Sequence, residues 1–267
     1  MSNTDTYFNN ALKIVMEAGE ILLKGFKSPK DVMTKQAYYD LVTQYDILVE
    51  KTIIDNLLQL YPNHKFIAEE SQADAVLTNE PTWILDPIDG TTNFVQGFPF
   101  CCISLALVVE NDIIIGIVYN PITNQLFTAQ KGKGAYLNNE RIHVSDTEDI
   151  KDAMFGFDVI SIKENKNYFM KHIDIIIDNF RGSRSLGSAA ITLCYLAMGA
   201  MDICSFQYLK CWDVVAGILI IQEAGGIILD SKGSNYKDIM NADIIAVSKR
   251  KLAEDFLKLK NNYSNKQ

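Results

Sequence analysis

The chain lacks a long apolar run. No segment approaches the roughly 18 consecutive apolar residues of a membrane-spanning helix. The opening residues, MSNTDTYFNN, lack the basic start and apolar centre of a secretion signal. A cytoplasmic protein that stays out of the membrane is expected. Positive charge is also in short supply: 25 lysines and arginines stand against 33 aspartates and glutamates, a formal net charge of -8. With no basic or aromatic-rich stripe, that balance excludes nucleic acid as the main partner. Histidine and cysteine are scarce. The three histidines, His64, His143 and His172, have no ligand spacing. The five cysteines, Cys101, Cys102, Cys194, Cys204 and Cys211, are odd in number and form no Cys-x-x-Cys pair. Neither a zinc site nor a disulfide framework is expected, and the thiols read as buried and reduced.

Apolar residues, by contrast, make up 48% of the 267, enough for one large domain or two intimate ones. Phe8, Leu12, Val15, Ala18 and Leu22 recur at helical spacing and predict a helix over 4–27, with Thr4 or Asp5 as its cap. The polar stretch KSPKDVMTKQAYY reads as loop or hairpin. A second helix is predicted over 44–60, stopping at Tyr61-Pro62-Asn63. Short strands follow at 65–69, 82–86, 101–109, 113–119, 125–129 and 135–137, with turns at Glu110-Asn111-Asp112 and Gly132-Lys133-Gly134. This meander predicts an antiparallel sheet. Further on, helical patterns at 165–180, 188–199, 212–224 and 249–260 alternate with apolar runs at 154–159, 202–206, 226–230 and 243–247. Such alternation predicts a layered α/β arrangement. The expected organisation is an N-terminal α+β part, 1–146, with the antiparallel sheet and most of the metal ligands, and a C-terminal α/β part, 147–267, packed as one unit.

Four stretches share one design, in which an apolar run delivers a carboxylate to its end. They are Asp40-Leu41-Val42-Thr43-Gln44-Tyr45-Asp46, Ile67-Ala68-Glu69-Glu70-Ser71, Asp86-Pro87-Ile88-Asp89-Gly90-Thr91-Thr92 and Cys211-Trp212-Asp213. Carboxylates so placed lose hydration and repel one another, and they need a compensating cation. A donor set made only of oxygen suits a hard ion, which favours Mg²⁺ over Zn²⁺. In the third stretch Asp86 is expected to end a strand, and Pro87 to fix a turn that aims Asp89 at the same point. The Ile88 carbonyl lies between them as a further candidate ligand. Gly90 would let the backbone approach a ligand, and the amides after it would open a short helix and attract phosphate. Metal ligands beside a phosphate cradle are what a metal-assisted phosphatase needs. Taken singly, each stretch has a plainer reading: Asp-Pro and Asp-Gly form turns, while Glu69-Glu70-Ser71 and Trp212-Asp213 cap helices. The combination carries the signal.

That combination resembles the inositol monophosphatase family. Asp86-Pro87-Ile88-Asp89-Gly90-Thr91-Thr92-Asn93-Phe94 is similar to the family's first signature. Trp212-Asp213-Val214-Val215-Ala216-Gly217, with Glu223-Ala224-Gly225-Gly226 after it, is similar to the second. Ala68-Glu69-Glu70-Ser71 and Asp40-Leu41-Val42-Thr43 with Asp46 fall in the expected order, and the likeness spans roughly residues 5 to 255. The resemblance implies a mixed α/β, layered αβαβα sandwich of the inositol monophosphatase and fructose-1,6-bisphosphatase type. It also implies Mg²⁺ dependence with two or three ions per active site, sensitivity to lithium, and a homodimer. Carried over residue by residue, it implies metal ligation by Glu69, Asp86, Asp89, Asp213 and the Ile88 carbonyl. Asp46 and Thr91 would polarise the attacking water, Glu70 would support the metal shell, and Lys35 matches a mobile-loop lysine near the weakest metal. The Gly90 and Thr91 amides would hold phosphate. The implied reaction is in-line attack of a metal-activated water on a small phosphate monoester. Without its ions such a site is strongly negative, so metal is expected to bind before or with the substrate.

Arg184-Ser185-Leu186-Gly187-Ser188-Ala189-Ala190 resembles the family's alcohol-side loop, which makes Gly187, Ser188 and Ala189 candidate substrate contacts. Seven residues before Asp213, where family members often carry a glutamate, this chain has Phe206, followed by Gln207. An aromatic ring cannot accept strong hydrogen bonds from inositol, and each buried hydroxyl left unpaired costs about 1–3 kcal/mol. An inositol 1-phosphate phosphatase is the first reading. The alternatives are a phosphatase acting mainly on NADP(H), a sugar bisphosphate or 3′-phosphoadenosine 5′-phosphate, and a catalytically silent binding protein. Phe206 would either stack on the substrate or pack in the core.

Overall fold

In the computed structural model, which describes residues 3–35, 37–158 and 166–264, two helices joined by a hairpin come first. Helix α1 (Asn3–Phe26) buries Ala11, Ile14, Val15, Ala18 and Leu22 at helical spacing. The polar stretch after it is a hairpin, in which β1 (Val32–Thr34) pairs antiparallel with β2 (Leu41–Thr43). Helix α2 (Gln44–Leu60) opens on a capping box: Thr43 is the N-cap, and Asp46, three residues on, accepts the Thr43 N–H at 2.9 Å.

A seven-stranded sheet follows in chain order: β3 (Lys65–Ala68), β4 (Thr82–Asp89), β5 (Cys102–Val109), β6 (Asp112–Asn120), β7 (Gln125–Gln130), β8 (Ala135–Leu137) and β9 (Glu140–Ile142). β3 runs parallel to β4, and the remaining pairs are antiparallel. Between β5 and β6 the turn residues Glu110 and Asn111 both have positive φ, the handedness that matches the twist of a tight hairpin. A short helix, α3 (Thr91–Gln96), follows β4.

The second half builds a five-stranded sheet from β10 (Met154–Gly156), β11 (Gly182–Arg184), β12 (Ile203–Phe206), β13 (Ile227–Asp230) and β14 (Ile244–Val247), in the order β11-β10-β12-β14-β13. β10 is parallel to β11 and β12, and β14 is antiparallel to β12 and β13. Four helices accompany it: α4 (Lys166–Asn179), α5 (Ala189–Ala197), α6 (Cys211–Glu223) and α7 (Arg250–Ser264).

Strand alternation explains the layers. On β5, Leu105 and Leu107 face the core shared with α1 and α2, while Ala106 and Val108 face α5 and α6. On the smaller sheet, Cys204, Phe206, Ile244 and Ala246 face α5 and α6. From its other side Ile203, Ile245 and Val247 meet Ile175, Leu252 and Phe256 of α4 and α7. Helices α5 and α6 therefore have a sheet on either side, which is why they are apolar all round. The result is the αβαβα sandwich.

Several details depart from the sequence expectation. β9 and β11 were not foreseen, because Glu140-Arg141-Ile142 and Gly182-Ser183-Arg184 contain no apolar run. β4 continues through Pro87 to Asp89 instead of ending at Asp86. Val159 and Asn165, at the edges of one predicted run and one predicted helix, lie outside the described residues. All five cysteines are free and buried. Among the described residues no helix is long and apolar enough to cross a membrane.

Candidate active site

Asp86 and Asp89 stand on one strand, three residues apart. In a regular strand such residues point to opposite faces. Here the register against β5 shifts between Asp86, opposite Ser104, and Asp89, opposite Cys102. The irregularity inserts one residue and returns Asp89 to the face of Asp86. Pro87 fits a bulge because it has no N–H to give the ladder. The expected turn is thus a bulge in a continuing strand. The third acid comes from the other half of the chain: Asp213 is the third residue of α6 and accepts the Lys210 N–H at 2.7 Å. One carboxylate oxygen from each of Asp86, Asp89 and Asp213 lies within 4.8 Å of the others, with Asp86 and Asp89 buried and Asp213 partly exposed.

Glu69 and Glu70 follow the end of β3. Lys35, carried by the β1–β2 hairpin, donates to Glu69 Oε1 at 2.7 Å and to Glu70 Oε1 at 2.6 Å. The Glu70 N–H donates to Glu50 Oε2 at 2.9 Å. Glu50, buried on α2 one turn after Asp46, was not singled out in the sequence. Its signal was an acid at i+4 from Asp46 on a helix face otherwise apolar. Asp46 Oδ2 accepts from both the N–H and the hydroxyl of Thr43, at 2.9 and 2.5 Å. Thr91 Oγ1 lies 3.0 Å from the Ile88 carbonyl and 3.4 Å from Asp46 Oδ1.

The segment 186–190 is fastened to the first signature. A Cβ on Gly90 (φ +89°) would lie 2.7 Å from the Phe100 carbonyl and 3.0 Å from that of Gly187. The glycine therefore admits neighbouring protein backbone, in addition to any role towards a ligand. Asn93, also not singled out, donates to the carbonyls of Phe100 and Leu186, at 2.7 and 2.6 Å. Gly187 is half-buried, whereas Ser188 and Ala189 are buried at the start of α5. Ser188 donates to Asp89 Oδ2 at 2.5 Å. Phe206 is fully buried in the core between the two sheets, where its ring packs and leaves no surface for a substrate to stack upon. Of the two roles open to it in the sequence, the structure places it in the core.

Burial and mutual repulsion act together on these carboxylates. Burial raises the pKa of Asp86, and the charges of Glu69, Asp89 and Asp213 add to it. Burial raises Asp213, with Asp89 next. Asp89 is pushed up to about 7 by burial, against the hydrogen bonds from Ser188 and Ala190 and with the charge of Asp158 adding. Burial lifts Asp46 to about 6 despite its bonds from Thr43. Glu70 rises to about 7 through burial and then Glu69, with Lys35 opposing. Lys35 also rises: burial disfavours its charge, but Glu69 and Glu70 overcome this.

The chain is similar to known proteins over nearly its whole length. Residues 3–265 match the sequence model of the inositol monophosphatase family. The chain is 39% identical over 254 residues to inositol monophosphatase 1 of Bos taurus, covering 93% of this chain and 91% of that protein. It is 39% identical over 260 residues to inositol monophosphatase 2 of Solanum lycopersicum, covering 95% and 97%. Among solved structures it is similar to the IMPase of Thermotoga maritima, with a TM-score of 0.87 and 28% identity over 100% of this chain and 99% of that one. It is also similar to the extragenic suppressor protein SuhB of Bartonella henselae, with a TM-score of 0.85 and 32% identity over 97% and 98%. With matches that run nearly end to end, the chain belongs to the inositol monophosphatase family, a family of phosphoric monoester hydrolases.

Proposed function

We propose that this protein is a Mg²⁺-dependent phosphatase that hydrolyses a small phosphate monoester, with inositol 1-phosphate as the first candidate. The observation that carries the reading is the convergence of Asp86, Asp89 and Asp213 from two halves of the chain. The residues fit the ion. Their donors are all oxygen, they repel one another, and their raised pKa values mark a missing positive charge that Lys35, engaged with Glu69 and Glu70, does not supply. Glu69, Asp86, Asp89, Asp213 and the Ile88 carbonyl would hold two or three ions. Bound there, Mg²⁺ supplies positive charge towards phosphate and lowers the pKa of water.

The chain's own groups do the rest. The reaction is an in-line displacement in which water attacks phosphorus and the alcohol leaves. Thr91 orients the water. As the water gives a proton to Thr91 Oγ1, the threonine proton passes to Asp46 Oδ1, the oxygen left over once Thr43 has occupied Oδ2. With its pKa near 6, Asp46 is mostly ionised at neutral pH and ready to accept it. Glu70 braces Lys35 beside Glu69. The Gly90 and Thr91 amides would hold phosphate oxygens, and the segment fastened by Asn93 would meet the alcohol. Lithium inhibition and a homodimer belong to this reading through the family resemblance, and light scattering tests the dimer.

The identity of residue 206, a phenylalanine turned into the core, leaves room for a second reading. Without an acid at that position, the alcohol side accepts a wider set of esters, including NADP, sugar bisphosphates and 3′-phosphoadenosine 5′-phosphate. Phosphate release with Mg²⁺ from each of these and from inositol 1-phosphate decides between the two. The highest kcat/KM on inositol 1-phosphate supports the first reading, and equal or higher values elsewhere support the second. No release from any of them contradicts both and leaves a binding protein.

A further inference from the structure

Asp89 Oδ2 is enclosed by donors from 99 and 101 residues further along the chain: Ser188 Oγ at 2.5 Å and the Ala190 N–H at 2.7 Å. The direction of the serine bond is fixed. As N-cap of α5, Ser188 Oγ already accepts the Ile191 N–H at 3.2 Å. As a metal ligand Asp89 would be ionised, and an ionised carboxylate can only accept, so the hydroxyl proton goes to Asp89. Ser188 is 1% exposed, and Cys102 Sγ closes the same space, 3.8 Å from Ser188 Oγ and 3.9 Å from Asp89 Oδ2. Bulk water is not on hand to replace the hydroxyl. With Oδ2 so engaged, Oδ1 is the oxygen left with free lone pairs for a cation shared with Asp86 and Asp213, each of which has a carboxylate oxygen within 4.8 Å of one of Asp89.

Resting on the proposed function, we infer that Ser188 is a positioning residue for Asp89, fixing which carboxylate oxygen faces the metal cluster, and that it sets metal affinity without touching the substrate. The loss of such an outer partner typically weakens metal binding by about 10–100-fold. The inference also ties the seat of the alcohol-side segment to the occupancy of the metal site, because one hydroxyl serves both.

The test is calorimetric titration of the intact protein with Mg²⁺, alongside steady-state kinetics. Ser188→Ala is expected to weaken Mg²⁺ binding by about tenfold or more, with KM unchanged at saturating Mg²⁺. Ser188→Thr, which keeps the hydroxyl, is expected to bind nearly as the wild type does. In an Asp89→Asn background, Ser188→Ala is expected to cause no further loss, since the two act through one contact. Should Ser188→Ala not fold, Ser188→Cys keeps the volume with a weak donor and is expected to show the same loss. Unchanged Mg²⁺ affinity with a raised KM overturns the inference and makes Ser188 a substrate contact. Unchanged affinity and KM overturn it as well, leaving the proposed function standing. Absence of Mg²⁺ binding by the wild type overturns both.

Discussion

Lys35 Nζ lies 2.7 Å from Glu69 Oε1, so an ammonium from the β1–β2 hairpin occupies an oxygen that the metal reading needs. The pair is about one-fifth exposed on each side, and screening keeps its worth near 1 kcal/mol. A divalent ion at Glu69 must displace or share that contact. Lys35→Gln is expected to tighten Mg²⁺ binding by about fivefold. It is also expected to lower the melting temperature of the metal-free protein by about 2–4 °C. Calorimetry and thermal scans check both, and weaker Mg²⁺ binding in the variant would show that Lys35 assists the metal instead of competing with it.

The raised carboxylates make stability depend on pH. Asp46, Glu70 and Asp89, at about 6, 7 and 7, hold protons in the folded state that the unfolded chain releases above about pH 4. Their contribution is complete below the unfolded values and is lost as pH rises through the folded ones. The metal-free melting temperature is expected to fall from about pH 4 to about pH 7 and to level off above that. Mg²⁺ should restore more stability at the upper end than at the lower. A metal-free melting temperature that rises across this window contradicts the assignment of shared, uncompensated charge.

The sequence makes much of this site legible, because each acid closes an apolar run and the runs mark buried elements. Asp86, Asp89 and Asp213 could be grouped from that alone. The bulge could not, since Asp-Pro followed by Asp-Gly favours a turn and a bulge equally until the partner strand's register is known. Glu50 was hidden because a single acid on a helix usually faces water, and only the approach of the Glu70 N–H shows otherwise. The inward side of Phe206 depended on the pairing of β12 with β14, a contact between distant stretches. β9 and β11 carry no pattern of their own and exist through the strands they pair with.

Replacing one of the proposed ligand acids by its amide removes charge while keeping shape. Asp213→Asn is expected to lower kcat/KM by at least about 100-fold, beyond what loss of an outer partner costs. Circular dichroism should show the fold intact. Near-normal turnover at saturating Mg²⁺ would remove Asp213 from the metal site.

Thr91 stands between Ile88 O and Asp46 Oδ1, and the proposed function assigns it a role in proton transfer. Thr91→Ala is expected to reduce kcat by about 100-fold or more, while the Mg²⁺ dissociation constant moves much less. Equal losses in both would make the hydroxyl a structural support for the Ile88 carbonyl.

The most direct measurement is anomalous diffraction from crystals soaked in Mn²⁺, a stand-in for Mg²⁺ that can be located without assumption. The account predicts peaks bonded to carboxylate oxygens of Asp86, Asp89 and Asp213, and their loss in Asp213→Asn crystals. Mn²⁺ bound elsewhere with these three acids bare, or no ordered ion at saturating concentration, would contradict it.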